Sequence, residues 1–117
     1  MSKKQIFAVI YRGYIQSGKE DRYVECWKTI ASYFVAERGA LGSTLHKTSE
    51  GMWIAYSKWP DRATRDASWP KLGEEANFEL PAHIRQAIEG LKGCFNTEET
   101  FPEICMELIE EICSRQE

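Results

Sequence analysis

The chain has 117 residues, and its 15 lysine and arginine residues against 18 aspartate and glutamate residues give a net charge of −3. This length suits a single domain, residues 1–117, that can bury a core without disulfides or metals. Because the charges are spread along the chain, the composition argues against a nucleic-acid partner and against a polybasic membrane anchor.

The N-terminal segment 5–15 is predicted to form the first strand. It is rich in β-branched and aromatic residues, and apolar side chains occupy both alternating sets of positions up to Arg12, which is typical of a strand covered on both faces. Its longest apolar run, residues 6–11, is too short for a signal peptide or a membrane span. We therefore expect a cytoplasmic protein with no membrane partner.

Residues 19–38 are predicted to form a long amphipathic helix. The apolar residues that recur at helical spacing are Tyr23, Trp27, Ile30, Phe34 and Val35. Gly39 follows the last turn and supplies a left-handed stop.

A β-hairpin is predicted next. Residues 41–48 alternate between two faces, which places His46 opposite the face that holds the leucines. A Glu-Gly turn leads to a third strand at 52–59, which is again apolar on both faces near its start. Trp53 and Trp59 have the same parity, so both are expected in the same layer of the protein.

A second, broken helical region follows the hairpin. Asp61 is a candidate N-cap for a helix at 62–68, which ends before a proline. Residues 71–80 contain Gly73 and end at Pro81, and they are interpreted as a loop or a loose helical turn. Helical periodicity resumes at 82–91, and Gly93 ends it.

The tail, residues 102–113, fits both an amphipathic helix and an alternating strand. The order of the preceding elements decides between them. A fourth strand completes the split βαβ pattern of a ferredoxin-like α+β fold, βαββαβ, with a four-stranded antiparallel sheet. We therefore predict a strand.

The four cysteines do not have metal-site spacing. They form no Cys-x-x-Cys pair, and no histidine lies at zinc-finger spacing from two of them. We expect reduced thiols and no metal, because cytosolic thiols are normally kept reduced.

A strand with apolar side chains on both of its faces has to be covered on both faces of the sheet. The helices can cover only one face, so we expect a two-fold homodimer with its sheets packed face to face. The alternative is a monomer whose tail shields the second face.

Several motifs resemble those of the antibiotic biosynthesis monooxygenase family of dimeric α+β barrels. They are the glycine-rich entry to strand two at 39–42, the Trp-Pro-Asp-Arg-Ala sequence at 59–63 and the acidic terminal strand from Phe101. The resemblance spans nearly the whole chain and implies a dimeric α+β barrel. Members of the family include cofactor-free oxygenases, quinol-related oxidases and haem-degrading enzymes, so the fold does not select one activity.

The haem-degrading branch of this family uses an asparagine on strand one, a tryptophan in the second helical region and a histidine ligand after it. Trp69 lies where that tryptophan is expected, and His83 is the candidate histidine. Tyr11 stands where the asparagine would be needed, so the resemblance favours haem degradation least.

The cofactor-free branch implies a site with no bound cofactor and no metal, in which an aromatic substrate supplies the electrons. The resemblance implies an apolar cavity near Trp53, Trp69, Tyr11 and His83, with Arg12 as a further substrate-binding candidate. We predict a monooxygenase or oxidase acting on a small aromatic compound such as a quinol or polyphenol.

The catalytic candidates are Tyr11, as a hydrogen-bonding group, and the two histidines, His46 and His83. Each aromatic or histidine candidate has a structural alternative, as a core, interface or surface residue. A dimer that binds a small ligand without catalysis is the alternative function. Among the tryptophans, Trp69 is the one we expect to contact a ligand.

Overall fold

Residues 6–68 and 80–114, which are the residues that the computed structural model describes, form four strands and three helices. In chain order they are β1 (Phe7–Gly13), α1 (Glu20–Glu37), β2 (Gly42–Lys47), β3 (Trp53–Trp59), α2 (Arg62–Ser68), α3 (Ala82–Lys92) and β4 (Ile104–Glu107). This order matches the prediction. Within the described ranges, no helix is long and apolar enough to cross a membrane.

The four strands form one antiparallel sheet in the order β2-β3-β1-β4. β1 pairs with β3 from Phe7 opposite Trp59 to Gly13 opposite Trp53, and it pairs with β4 on its other side. This is the predicted ferredoxin-like α+β fold. β1 and β3, whose apolar residues occur on both parities, are the two central strands.

The core lies between the sheet and helices α1 and α3. Val9 and Ile84 are fully buried there, and Trp59 meets Phe34 of α1 with their ring centroids 6.1 Å apart. Burying a side chain of this size contributes about 1.5–3 kcal/mol to folding. Because alternate side chains of a strand share a face, Tyr11 faces the helices together with Val9.

The opposite side of the sheet, termed here the outer face, carries no helix within residues 6–68 and 80–114. The half-buried apolar and aromatic side chains on this face are Ile10, Ile54, Tyr56, Ile104 and Met106. An antiparallel sheet with one solvated face usually alternates apolar and polar residues. The outer face is therefore more apolar than a solvated face normally is.

The C-terminal segment contains the predicted strand, but the strand is shorter than residues 102–113. β4 has four residues, Ile104–Glu107, and the chain beyond it is irregular up to residue 114. Ile109 is 72% exposed and Ile112 is 98% exposed. The alternating pattern therefore extends past the residues that pair with β1.

Local signals fix the ends of several elements as predicted. Gly39 ends α1 with φ of 85°, and Gly51 forms the hairpin turn with φ of 97°, a region that favours glycine. Asp61 caps α2, since its Oδ1 accepts hydrogen bonds from the backbone N–H and the hydroxyl of Thr64, both at 2.7 Å. These two hydrogen bonds hold the pKa of Asp61 below its usual value.

Candidate functional site

A buried arginine is the most unusual feature of the helix-facing side of the sheet. Arg65 of α2 is only 6% exposed. Its Nη2 donates to the hydroxyl of Tyr11 at 3.1 Å and also to Oε1 of Glu103, while Nη1 donates to Oδ1 of Asp66 at 3.2 Å. Buried arginines are rare unless they are paired, so this cluster is the leading candidate for a site.

Three separate elements bring this cluster together. Tyr11 belongs to β1, and Arg65 lies one turn into α2, whose start is fixed by the Asp61 cap. Ile104 pairs with Ile10, so Glu103, one residue earlier on the antiparallel strand, falls level with Tyr11. The site therefore depends on the packing of α2 against the sheet and on the docking of β4.

Burial and charge act in opposite directions at the tyrosine. Burial raises the pKa of Tyr11, while the neighbouring Arg65 guanidinium opposes this rise. Burial alone would lower the pKa of Arg65, but its hydrogen bonds to Glu103 and Tyr11 outweigh burial and raise that pKa. Near neutral pH the cluster therefore holds a neutral phenol beside a fixed positive charge.

The Nε of Arg65 is buried and has no hydrogen-bond partner within the described residues. A buried donor without a partner costs roughly 1–3 kcal/mol, and a bound acceptor removes that cost. Glu103 and Asp66 already pair with the charge of Arg65, so what the cluster offers to an anion such as a phenolate is the Nε–H donor.

A thiol also borders the cluster. Cys105 of β4 lies on the same face as Tyr11, and its Sγ contacts Oε2 of Glu103 at 3.5 Å. Burial raises the pKa of Cys105, and the hydrogen bond to Glu103 adds to this effect. The thiol is therefore protonated near neutral pH, which makes it a poor nucleophile.

Trp53 shares the helix-facing layer with Trp59, as their common parity predicted. Its ring meets Tyr23 of α1 edge-on, with centroids 5.5 Å apart, and Nζ of Lys47 lies 5.2 Å from its centroid. Tyr23 in turn meets Phe95 at 5.4 Å. Trp53 therefore packs within an aromatic group at the end of the sheet where β1 reaches Gly13.

The burial of Tyr23 predicts a pH effect on stability. Its side chain is 2% exposed, and burial, helped by Cys94, raises its pKa from 10.0 to about 12. As the pH rises, the unfolded chain loses this proton first, so stability that is present below pH 10 declines toward pH 12. We expect the free energy of unfolding to fall by about 2 kcal/mol more in the wild type than in Tyr23→Phe over this range. Urea titrations followed by circular dichroism would measure the difference, and parallel curves would contradict it.

Two other candidates lie on the outer face, away from Tyr11. His46 is exposed, and its Nε2 is 3.0 Å from the hydroxyl of Thr44. Arg12 lies 5.3 Å from the ring centroid of Phe101 and donates to the carbonyl of Pro102 at 3.3 Å. The structure therefore separates these two residues from the Arg65 cluster by the thickness of the sheet.

The remaining candidates are in the second helical region. His83 is exposed in the first turn of α3. Trp69 lies outside the described residues, and the cavity expected beside it stays a prediction.

The sequence interpretation missed Arg65 and Glu103. Arg65 stands in the polar run RATRDAS, where a charged residue normally faces solvent, and Glu103 precedes a strand that pattern alone did not establish. One signal was present: Asp61 as N-cap places Arg65 four residues later, on a defined side of a short helix. That side could be identified as buried only once the sheet order was known.

Comparison with known proteins gives likenesses of structure alone. No family model matches this sequence, and no curated protein matches it. A proposed antibiotic biosynthesis monooxygenase from Chloroflexus aurantiacus J-10-fl has a TM-score of 0.67 and 13% identity, over 92% of this chain and 97% of that chain. SnoaB, a cofactor-independent oxygenase from Streptomyces nogalater, has a TM-score of 0.61 and 10% identity, over 97% of this chain and 100% of that chain.

A conserved protein from Methanosarcina mazei Go1 is also similar, with a TM-score of 0.63 and 11% identity over 92% of this chain and 95% of that chain. These likenesses show that the chain has the ferredoxin-like fold of antibiotic biosynthesis monooxygenase-like proteins, as its motifs indicated. The structural neighbours include a cofactor-independent oxygenase. At these identities the likeness concerns the fold, and function has to be argued from the site.

Proposed function

We propose that this chain, which has the fold of the antibiotic biosynthesis monooxygenase-like proteins, oxidises a small quinol- or polyphenol-like compound with dioxygen and without a bound cofactor. The observation that carries the proposal is the buried Arg65 guanidinium, which bonds to Tyr11 and Glu103 and keeps an unpartnered Nε within the described residues. The Nε–H would donate a hydrogen bond to the oxygen of a bound phenol and favour its anionic form.

The electrons for the reaction come from the substrate. In the oxidase form, a quinol gives two electrons and two protons to dioxygen, and the products are a quinone and hydrogen peroxide. In the monooxygenase form, one atom of dioxygen replaces the two hydrogens of an activated methylene carbon, as in an anthrone, and the other atom leaves as water with those two hydrogens. Both begin with an electron-rich phenolate.

The protein would assist this chemistry in two ways. The Nε–H of Arg65 would hydrogen-bond to the phenolate, or to the reduced oxygen that forms next to it, and so lower its free energy. Tyr11, held by Arg65, orients the substrate by a hydrogen bond from the helix-facing side of the sheet. We propose Trp53 and Trp69 as aromatic walls of the binding site. Arg12, His46 and His83 stay candidates, and each would have to contact the same substrate to take part.

Oxygen uptake with a panel of hydroquinones and anthrones tests the proposal. We expect protein-dependent uptake and about a tenfold lower kcat/KM in Tyr11→Phe, since a positioned hydrogen bond contributes about 1–1.5 kcal/mol. Tyr33→Phe is the matched control, because Tyr33 lies on α1 and packs edge-on against Phe34. Equal loss in both variants would contradict the role of Tyr11.

A non-catalytic dimer that binds a small ligand is the second candidate function. It is favoured by the absence of a histidine from the Arg65 cluster within the described residues, since both histidines are exposed elsewhere. Measurable binding of the same aromatic compounds with no oxygen uptake would support this candidate over the oxidase.

We propose further that the chain forms a two-fold homodimer through the outer face. The half-buried apolar side chains of that face form a continuous surface over three neighbouring strands. Exposed Ile109 and Ile112 lie beyond β4 and add apolar surface that a second copy would cover.

A further inference from the structure

We propose that the groove between α1 and α3 binds a small-molecule oxyanion, a phosphate or carboxylate group. A depression of about 700 Å³ opens between these helices. The residues that line it are Arg22, Ala82, Arg85, Gln86, Glu89 and Gly90. None of them belongs to the Arg65 cluster, so this proposal stands independently of the proposed oxidation.

The two arginines in the groove have no carboxylate partner in the part of the chain that the structure describes. The other arginines from residue 12 to residue 65 pair with carboxylates or stack on aromatic rings. Within the described ranges, neither Arg22 nor Arg85 makes a hydrogen bond or an ion pair, and the Nε of Arg85 is buried without a partner. Two guanidinium groups with unfilled donors at one depression suit a bidentate oxyanion.

Gly90 makes room for one of these groups. A Cβ at Gly90 would lie 2.9 Å from Nη2 of Arg22 and 3.1 Å from Sγ of Cys26. The guanidinium of Arg22 therefore lies directly over the backbone of α3. Glycine inside a helix costs about 1 kcal/mol relative to alanine, and here its missing side chain brings a positive charge into the groove.

The remaining lining residues indicate the charge of the ligand. Ala82 begins α3, where the helix N-terminus favours negative charge, and Gln86 adds an amide donor. The carboxylate of Glu89 opposes an anion, and Nζ of Lys92, 3.9 Å away, offsets part of its charge. The groove therefore suits a ligand that has an anionic head group and whose other atoms lie over the open side of the depression.

Titration of the isotope-labelled full chain with inorganic phosphate and with benzoate, followed by two-dimensional NMR at constant ionic strength, tests the site. We expect saturable shifts of the amide signals of residues 82–90. Arg22→Gln and Arg85→Gln should each weaken binding by about fivefold or more. Tighter binding of phosphate identifies a phosphate ligand, and tighter binding of benzoate identifies a carboxylate.

Lys28→Gln is the matched control. Lys28 is an exposed residue of α1 that pairs with Glu25 at 3.5 Å, and its loss changes the net charge equally. It should leave the affinity unchanged, whereas Gly90→Ala, which displaces Arg22, should weaken binding and Glu89→Gln should strengthen it. Shifts that do not saturate with either probe, or equal weakening in Lys28→Gln, would overturn the proposal.

Discussion

Replacing Arg65 with methionine should destabilise the protein by about 2–4 kcal/mol and lower any quinol oxidation by about 10²- to 10³-fold. Methionine has a similar volume, so the main change is the loss of charge and hydrogen bonds. Glu103 and Tyr11 then lose the donor that joins them, although Glu103 is 37% exposed and regains some water. Urea unfolding and oxygen uptake measure the two effects.

Arg62→Met is the matched control for this variant. Arg62 lies on the same helix, is 59% exposed and faces Asp66 at 3.5 Å, so its loss should cost about 0.5 kcal/mol. The double variant Arg65→Met with Glu103→Gln completes a double-mutant cycle and should show a coupling of at least about 1 kcal/mol. Equal losses of unfolding free energy in Arg62→Met and Arg65→Met would show that the Arg65 cluster does not stabilise the protein.

Replacing Ile10 with aspartate should convert a dimer into a monomer. Ile10 lies on the outer face of β1, between Tyr56 on β3 and Ile104 on β4. A charge buried at the centre of an apolar interface should weaken association by at least about 100-fold. Sedimentation should give twice the 13.5 kDa chain mass for the wild type and a single chain mass for the variant.

The control for the dimer is Leu41→Asp. Leu41 is 48% exposed and directly precedes β2, with the parity of the helix-facing residues, so the same chemical change there should leave the dimer intact. Circular dichroism would establish that both variants are folded. A wild-type chain that sediments as a monomer at micromolar concentration would contradict the homodimer.

The parts of the fold that local periodicity determines were predictable. The alternation of 41–48 placed His46 opposite the leucines, and the shared parity of Trp53 and Trp59 placed both in one layer. The strand in the tail could be inferred only from the order of the other elements. The length of this strand could not be inferred, because the alternation of apolar residues continues past Glu107, the last residue of β4.

The candidate site was predictable only for Tyr11. Arg65 is buried because β1, α2 and the start of β4 meet around it, and no local pattern in α2 marks that contact. Conversely, Arg12 follows Tyr11 in sequence but lies across the sheet from it, since neighbouring strand residues point to opposite faces. Proximity in sequence is therefore a poor guide to which side chains share a site on a sheet.

The position of β4 also sets the order in which the protein is completed during synthesis. β1, β2 and β3 all lie within the first 59 residues, so three strands and α1 can assemble while the C-terminal half is still being made. β4 pairs only with β1, at the edge of the sheet, and it brings Glu103 to Arg65. The guanidinium therefore gains Glu103 after its other carboxylate partner, Asp66, and a nascent chain that stops before Glu103 would leave the Arg65 cluster unfinished.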